Sequence, residues 1–361
     1  MKPLARLFAL ASPLVALSLL AAACAPQRAV PEQPAAPAQP AAGQPAAAPV
    51  YPKMTLKFNH VVAKDTPKGK AAEYFAKIVK ERSGGNIEVQ VFPNSELYKD
   101  GEEIEALQQG AIHFIAPGTD KIGVLEPAWE APVLPGIFLS AEAGDKFGEP
   151  GNPVAKELMD KLRPKGMVGL GVWLNGFKHF TSSKRPLITP DDFKGQKFRT
   201  SGKPDEEFVK AMGGSAQVMA FSEVFGALQQ GVVDGQFNSW SNILTQKFDE
   251  VQKYGTVSRG GVLLLYAVAT SAKFWDGLDA PTRKLLGDAM DETTRFNNKT
   301  AAEDNATAFA AIKKAGRIDL HEQTEAEAKA WAGYGEQVLK LWEPRTGKDI
   351  LDKLKSLNTA R

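Results

Sequence analysis

The residue best suited to binding chemistry is Arg199, at the end of Gly195-Gln196-Lys197-Phe198-Arg199. A guanidinium presents a planar fork that matches a carboxylate with two parallel hydrogen bonds. Alternation along a strand from Gln196 to Thr200 turns Phe198 toward a core and Arg199 the other way. On that face an Arg is either solvated or salt-bridged at the surface, as charged strand residues usually are, or reserved for an anion. Lys178, in Asn175-Gly176-Phe177-Lys178, is a second candidate cation, with a solvated Lys as the alternative. Trp173 and Trp240 are candidates for stacking on a ligand, although core packing is the commoner fate of such rings. Residues for bond-breaking chemistry are missing from the sequence: it holds no G-x-S-x-G elbow, no P-loop and no G-x-G-x-x-G. The four His residues (60, 113, 179 and 321) and the single Cys show no metal-ligand spacing. The expectation is therefore a binding protein with no catalytic residue, metal or cofactor. A secreted enzyme is the alternative.

These side chains must be positioned by alternating strands and helices. Met54 to His60 alternates as a strand, and Thr66-Pro67 caps a helix with Ala71, Tyr74, Phe75, Ile78 and Val79 on one face. A second strand carries Ile87, Val89 and Val91. Such alternation favours a mostly parallel sheet with helices on its faces. Ala106-Leu107-Gln108-Gln109-Gly110 precedes one strand (111–116), and Ala227-Leu228-Gln229-Gln230-Gly231 precedes another (232–237). The repeated helix–Gly–strand unit implies two related α/β lobes, which would enclose a ligand beyond the carboxyl ends of their strands. Thr189-Pro190-Asp191-Asp192 reads as a capped turn. From Pro281 to Gly316 only Gly287 interrupts a helical pattern, and at 1.5 Å per residue that helix runs on the order of 50 Å, long enough to span both lobes. Thr324 to Trp342 and Lys348 to Leu357 supply the last helices, separated by Pro344 and Gly347.

Charge and the N-terminus bound the compartment. The formal net charge of +2 comes from Lys2 and Arg6 of an apparent leader, so the rest of the chain is balanced. A balanced chain lacks the basic surface that nucleic acid requires. Residues 1–23 read as a secretory leader, with an apolar run from Leu7 to Ala23 that ends in small residues before Cys24. The arrangement is that of a bacterial lipoprotein site with its Leu one place upstream, at Leu20. Cys24 is thus the expected lipid anchor; ordinary cleavage beside an incidental Cys is the alternative. Residues 25 to 49, rich in Ala, Pro and Gln, would form a semi-extended tether.

Taken together, several motifs make the chain resemble the solute-binding proteins of TRAP (tripartite ATP-independent periplasmic) transporters, the DctP-type family. They include His60-Val61-Val62-Ala63, Asp65-Thr66-Pro67-Lys68-Gly69-Lys70, Glu105-Ala106-Leu107-Gln108, Asn175-Gly176-Phe177-Lys178 and Gly195 to Arg199. Phe221-Ser222-Glu223-Val224, Ala227 to Gly235, Val251-Gln252-Lys253-Tyr254 and Lys273-Phe274-Trp275 follow in order. The resemblance implies an α/β, two-lobed periplasmic-binding-protein-like clamp with a long helix spanning both lobes. The chain then divides into a tether (24–52), a first lobe (53–175 with 264–303) and a second (176–263 with 304–361). It also implies capture of a small organic acid, best a C4-dicarboxylate, and delivery to a membrane permease. The family's carboxylate-binding arginine falls on Arg199, its ligand-side aromatic on Phe221 and its polar cleft residue on Asn238. His60, Lys178, Trp173 and Trp240 complete the candidate ligand set. Two departures touch the site: Gln236-Phe237-Asn238-Ser239 replaces Gln-Glu-Asn-Pro, and Gly260-Gly261 replaces a His-Gly pair. They leave a monocarboxylate, keto acid or aromatic acid as the alternative ligand.

Overall fold

The computed structural model describes residues 49–259 and 261–359. The leader, Cys24 and most of the tether lie outside the described residues. Among the described residues, eleven strands form two sheets. The first has the order β2 (Ile87–Phe92), β1 (Met54–Asn59), β3 (Phe114–Ile115), β10 (Leu263–Ser271), β4 (Met167–Phe177). The second has the order β7 (Ser215–Val218), β6 (Lys197–Thr200), β8 (Gly235–Asn238), β5 (His179–Ser182), β9 (Tyr254–Val257), β11 (Asp319–Glu322).

Directions match as well as order. β1 runs parallel to β2 and β3, as β6 does to β7 and β8. β10 lies antiparallel between β3 and β4, as β5 does between β8 and β9. The repeated pentapeptide sits at equivalent places: Gly110 (φ 79°) and Gly231 (φ 70°) take the left-handed conformation before β3 and β8, one that glycine adopts without a Cβ penalty. The expectation of mostly parallel sheets holds, with a single strand of each sheet reversed. β5 and β10 are antiparallel because each sheet receives one strand from a connection crossing between the lobes.

The crossings run side by side, from β4 to β5 and from β9 to β10, joined where Lys178 N–H donates to Val262 O at 2.9 Å. The long helix runs Ala280–Ala315, 36 residues, capped by Asp279 at its start and by left-handed Gly316 at its end. Its early part packs on the first lobe, where Tyr74 Oη donates to Glu292 at 2.6 Å and Trp173 Nε1 to Thr294 at 3.1 Å. Further along, Asn305 Nδ2 donates to Asn175 O, Asn305 Oδ1 accepts from Ser241 N–H, and Phe309 packs on Trp240. The helix is thus the expected spine of both lobes.

One helix boundary differs from expectation. The helix Glu325–Thr346 continues through Pro344 rather than stopping before it. Pro344 lies in the last turn, and the residues around it are held independently: Trp342 Nε1 donates to Glu130 at 2.9 Å and Arg345 pairs with the same carboxylate.

Candidate functional site

Phe198 is fully buried among Phe180 and Phe193, which fixes the face of β6 and turns Arg199 toward the other lobe. The carboxyl ends of β6 and β8 bring Arg199 and Asn238 to a cavity of about 40 Å³. Opposite them, the ends of β1 and β3 supply Val61, Val62, Gly118, Asp120 and Lys121. This is the place where open α/β sheets hold ligands.

Arg199 is only 3% exposed, so the solvated alternative is excluded. Its Nε and Nη2 donate to Met219 O at 3.2 and 3.0 Å, and the guanidinium lies 5.7 Å from the Phe221 ring centre. No carboxylate forms an ion pair with it among the described residues. Burial pushes its pKa down from the usual range, against the opposing pull of Asp100, Asp120 and Asp205. Asn238 Oδ1 accepts from Asn242 Nδ2 at 2.8 Å, and Tyr266 Oη accepts from Asn175 Nδ2 at 3.0 Å, which fixes the polar floor. Burial raises the Tyr266 phenol well above its normal range.

Lys178 is equally buried but already paired. Its Nζ lies 2.7 Å from Asp205 Oδ2, which also accepts from Ser201 Oγ at 2.6 Å. Together with Phe237 it forms the wall between this cavity and a larger groove of about 560 Å³ on the hinge side, lined by Phe180, Phe208, Trp331 and Leu339. Volume alone would favour that groove as the binding site. Chemistry favours the smaller cavity, where a buried cation lacks a carboxylate.

Trp173, Trp240 and His60 are not brought to the cavity. Trp173 is fully buried and stacked on Phe58, and Trp240 is stacked on His179 at 4.6 Å, so both belong to the core. His60 is fully buried behind the cavity while its neighbours Val61 and Val62 line it; burial and the charge of Lys68 push its pKa down to about 3. Phe221 does line the cavity, and its N–H donates to Asp100 of the first lobe.

Sequence reasoning missed Asp100, Asp120, Lys121, Asn242 and Tyr266. Signals existed for some of them. Asn242 lies one helical turn past Asn238, and Tyr266 is the one hydroxyl-bearing residue in the apolar run 262–269. Lys68, read only as part of a motif, is fully buried with its Nζ 3.7 Å from the Tyr266 ring centre and donating to Ala116 O at 2.9 Å. Burial pushes Lys68 down and nearby Glu103 up. No cluster of three or more metal-ligating side chains occurs among the described residues.

Two α/β lobes, two crossings and a buried cation facing an interlobe cavity define a solute-capturing clamp. The chain belongs to the bacterial extracellular solute-binding proteins of family 7, whose profile it matches over residues 58–344. It is 49% identical over 282 residues to the C4-dicarboxylate-binding periplasmic protein DctP of Rhodobacter capsulatus, covering 77% of this chain and 83% of that one. It is 41% identical to the C4-dicarboxylate-binding protein DctB of Bacillus subtilis, over 84% of this chain and 87% of the relative. A succinate-bound TRAP solute-binding protein from Shewanella oneidensis superposes with a TM-score of 0.81 at 36% identity, covering 85% of this chain and all of the other. An L-malate-bound one from Pseudomonas aeruginosa gives 0.76 at 34% identity, over 81% and 100% of the two chains. The protein is thus the extracytoplasmic solute-binding component of a TRAP transporter.

Proposed function

We propose that the protein captures a C4-dicarboxylate such as malate, succinate or fumarate, gripping one carboxylate with Arg199, and hands it unaltered to a membrane permease. The observation that carries this reading is the buried Arg199 guanidinium without a carboxylate partner. An acid arriving from solution would supply the missing charge and two parallel hydrogen bonds. Asn238 and Phe221 flank that carboxylate, and Lys121 of the opposite lobe suits the second one. A diacid held this way bridges the lobes and favours their closure. The cavity's 40 Å³ holds about three water-sized groups at roughly 10–15 Å³ each. A C4-dicarboxylate is larger than this, so its entry must part the lobes.

The lobe limits we propose are 53–175 with 264–303 and 176–263 with 304–361. We also propose that Cys24 carries a lipid that keeps the tethered clamp at a membrane. No helix among the described residues is long and apolar enough to cross a membrane. Cys24→Ser should release the protein into the soluble fraction with unchanged affinity; a variant that stays with the membrane refutes the anchor.

The ligand reading is tested by thermal shift and calorimetric titration against L-malate, succinate, fumarate, pyruvate and benzoate. A ligand that binds only the folded state raises the melting temperature. The three diacids should stabilise the protein and return unchanged after long incubation. Preference for pyruvate or benzoate overturns the diacid assignment, and an altered product overturns the binding-only reading.

A further inference from the structure

Gly202 lies three residues past Arg199, at the start of the helix Lys203–Ala211. Its backbone is extended (φ −160°, ψ −175°), a conformation open to any residue. Local geometry therefore gives no reason for glycine here. The reason lies in the other lobe. A Cβ on Gly202 would sit 2.5 Å from Asp120 Oδ2, 2.9 Å from Asp120 Cβ and 3.1 Å from its Cγ. Asp120 belongs to the short helix Thr119–Ile122 that follows β3.

Asp120 has little freedom to yield. Rotating its carboxylate leaves its Cβ in place, still too close to a side chain at 202. On its other side Oδ1 presses on Gly118, where a Cβ would come within 2.4 Å. The carboxylate is wedged between one glycine of its own lobe and one of the facing lobe. Asp120 is 6% exposed, and Oδ2 is buried without a hydrogen-bond partner.

We infer that Gly202 is a positioning residue for ligand capture: its bare Cα is the surface onto which Asp120 closes, and it sets how near Arg199 comes to the first lobe. A side chain at 202 holds the clamp ajar rather than disturbing its own lobe, because the nearest atoms it would strike all belong to Asp120. The inference rests on the reading of the interlobe cavity as the ligand site and adds the contact that limits its closure.

The test is a double-mutant cycle, which isolates coupling between two positions. L-malate, succinate, D-erythronate and galactonate are titrated into wild type, Gly202→Ala, Asp120→Gly and the double variant, with scattering profiles and ligand-free melting curves alongside. Overpacking of this kind is expected to weaken binding about ten- to hundredfold in Gly202→Ala, with loss of ligand-induced compaction and an unchanged ligand-free melting temperature. Adding Gly202→Ala to Asp120→Gly should cost almost nothing further, because the obstructing atoms are gone. Wild-type affinity in Gly202→Ala overturns the inference, as does additivity in the double variant or a lowered ligand-free melting temperature in Gly202→Ala. The wild-type titrations separately decide the diacid reading: binding of erythronate or galactonate but neither diacid sinks that reading, and the cycle is then scored with the acid that binds.

Discussion

Arg199 and Lys178 stand in the same lobe, two strands apart, each buried and each lining the interlobe cavity. They differ in what holds their charge. Lys178 has Asp205 at 2.7 Å, whereas Arg199 has the main-chain carbonyl of Met219. A buried ion pair is complete in itself, and removing one partner strands the other. A buried guanidinium tied to a carbonyl is oriented but makes no direct ion pair, so on the proposed reading an incoming carboxylate can take that place. On that reading, two buried cations in one lobe thus do different work: one maintains the wall against the hinge groove, and the other receives the ligand.

The sharpest way to break this contrast is to remove Lys178. Lys178→Met strands Asp205 in the core and should cost about 3–5 kcal/mol of stability, read by chemical denaturation without ligand. Adding Asp205→Asn should recover most of that loss. If Lys178→Met instead keeps its stability and loses dicarboxylate affinity, Lys178 is a ligand residue and the contrast collapses. Arg199→Ala should show the opposite pattern. Its ligand-free stability should hold, while affinity for the preferred diacid falls by about 2–5 kcal/mol, or about 30-fold to several thousand-fold. Arg199→Lys should recover part of the loss, because a point donor replaces a fork; affinity within threefold of wild type in the Ala variant removes Arg199 from the site.

Acidity sharpens the comparison more gently. His60 takes a proton at about 3 in the fold and near 6.5 when unfolded, and His179 is lowered to about 3 by burial as well. The unfolded chain binds the extra protons, so this stability is fully present above about pH 6.5 and is lost as pH falls toward 3. At about 1.4 kcal/mol per tenfold difference in proton affinity, acidification to pH 4 should cost on the order of 3 kcal/mol at His60. Denaturation midpoints of wild type and His60→Gln across pH 4 to 7 check this, with a shallower slope in the variant. Equal slopes would mean His60 is not held neutral by burial.

What the sequence disclosed about these residues depended on how local the cause was. The facing of Arg199 was legible because alternation on one short strand opposes it to Phe198, and the Thr189 turn forms the capping box its residues suggest. The spine was legible because 36 helical residues carry their own caps. The duplication was legible because the same pentapeptide, ending in a glycine that turns left-handed, precedes a strand in each half. By contrast, the Lys178–Asp205 pair, the Asp100 carboxylate at Phe221 and the Asp120–Gly202 contact join segments brought together only by the tertiary fold. Nothing in the local pattern marks them. The single reversed strand of each sheet escaped for the same reason, since β5 and β10 look like any buried strand until their neighbours are known. Trp173 and Trp240 carried the chemistry of ligand stacking, and the core claimed both.

The exchange of strands between lobes also governs the order in which the protein can be completed. β10 lies between β3 and β4, yet it follows them by about ninety residues or more in the chain. A polypeptide emerging N-terminus first presents those two strands with no partner between them until Leu263–Ser271 arrives. Unpaired strand edges are templates for association with other chains. The first lobe cannot complete its sheet before the first stretch of the second lobe is made, so biogenesis must protect a half-built sheet across the synthesis of β5 to β9. A nascent chain that stalls before Leu263 would be a hazard to its neighbours as well as an inactive fragment.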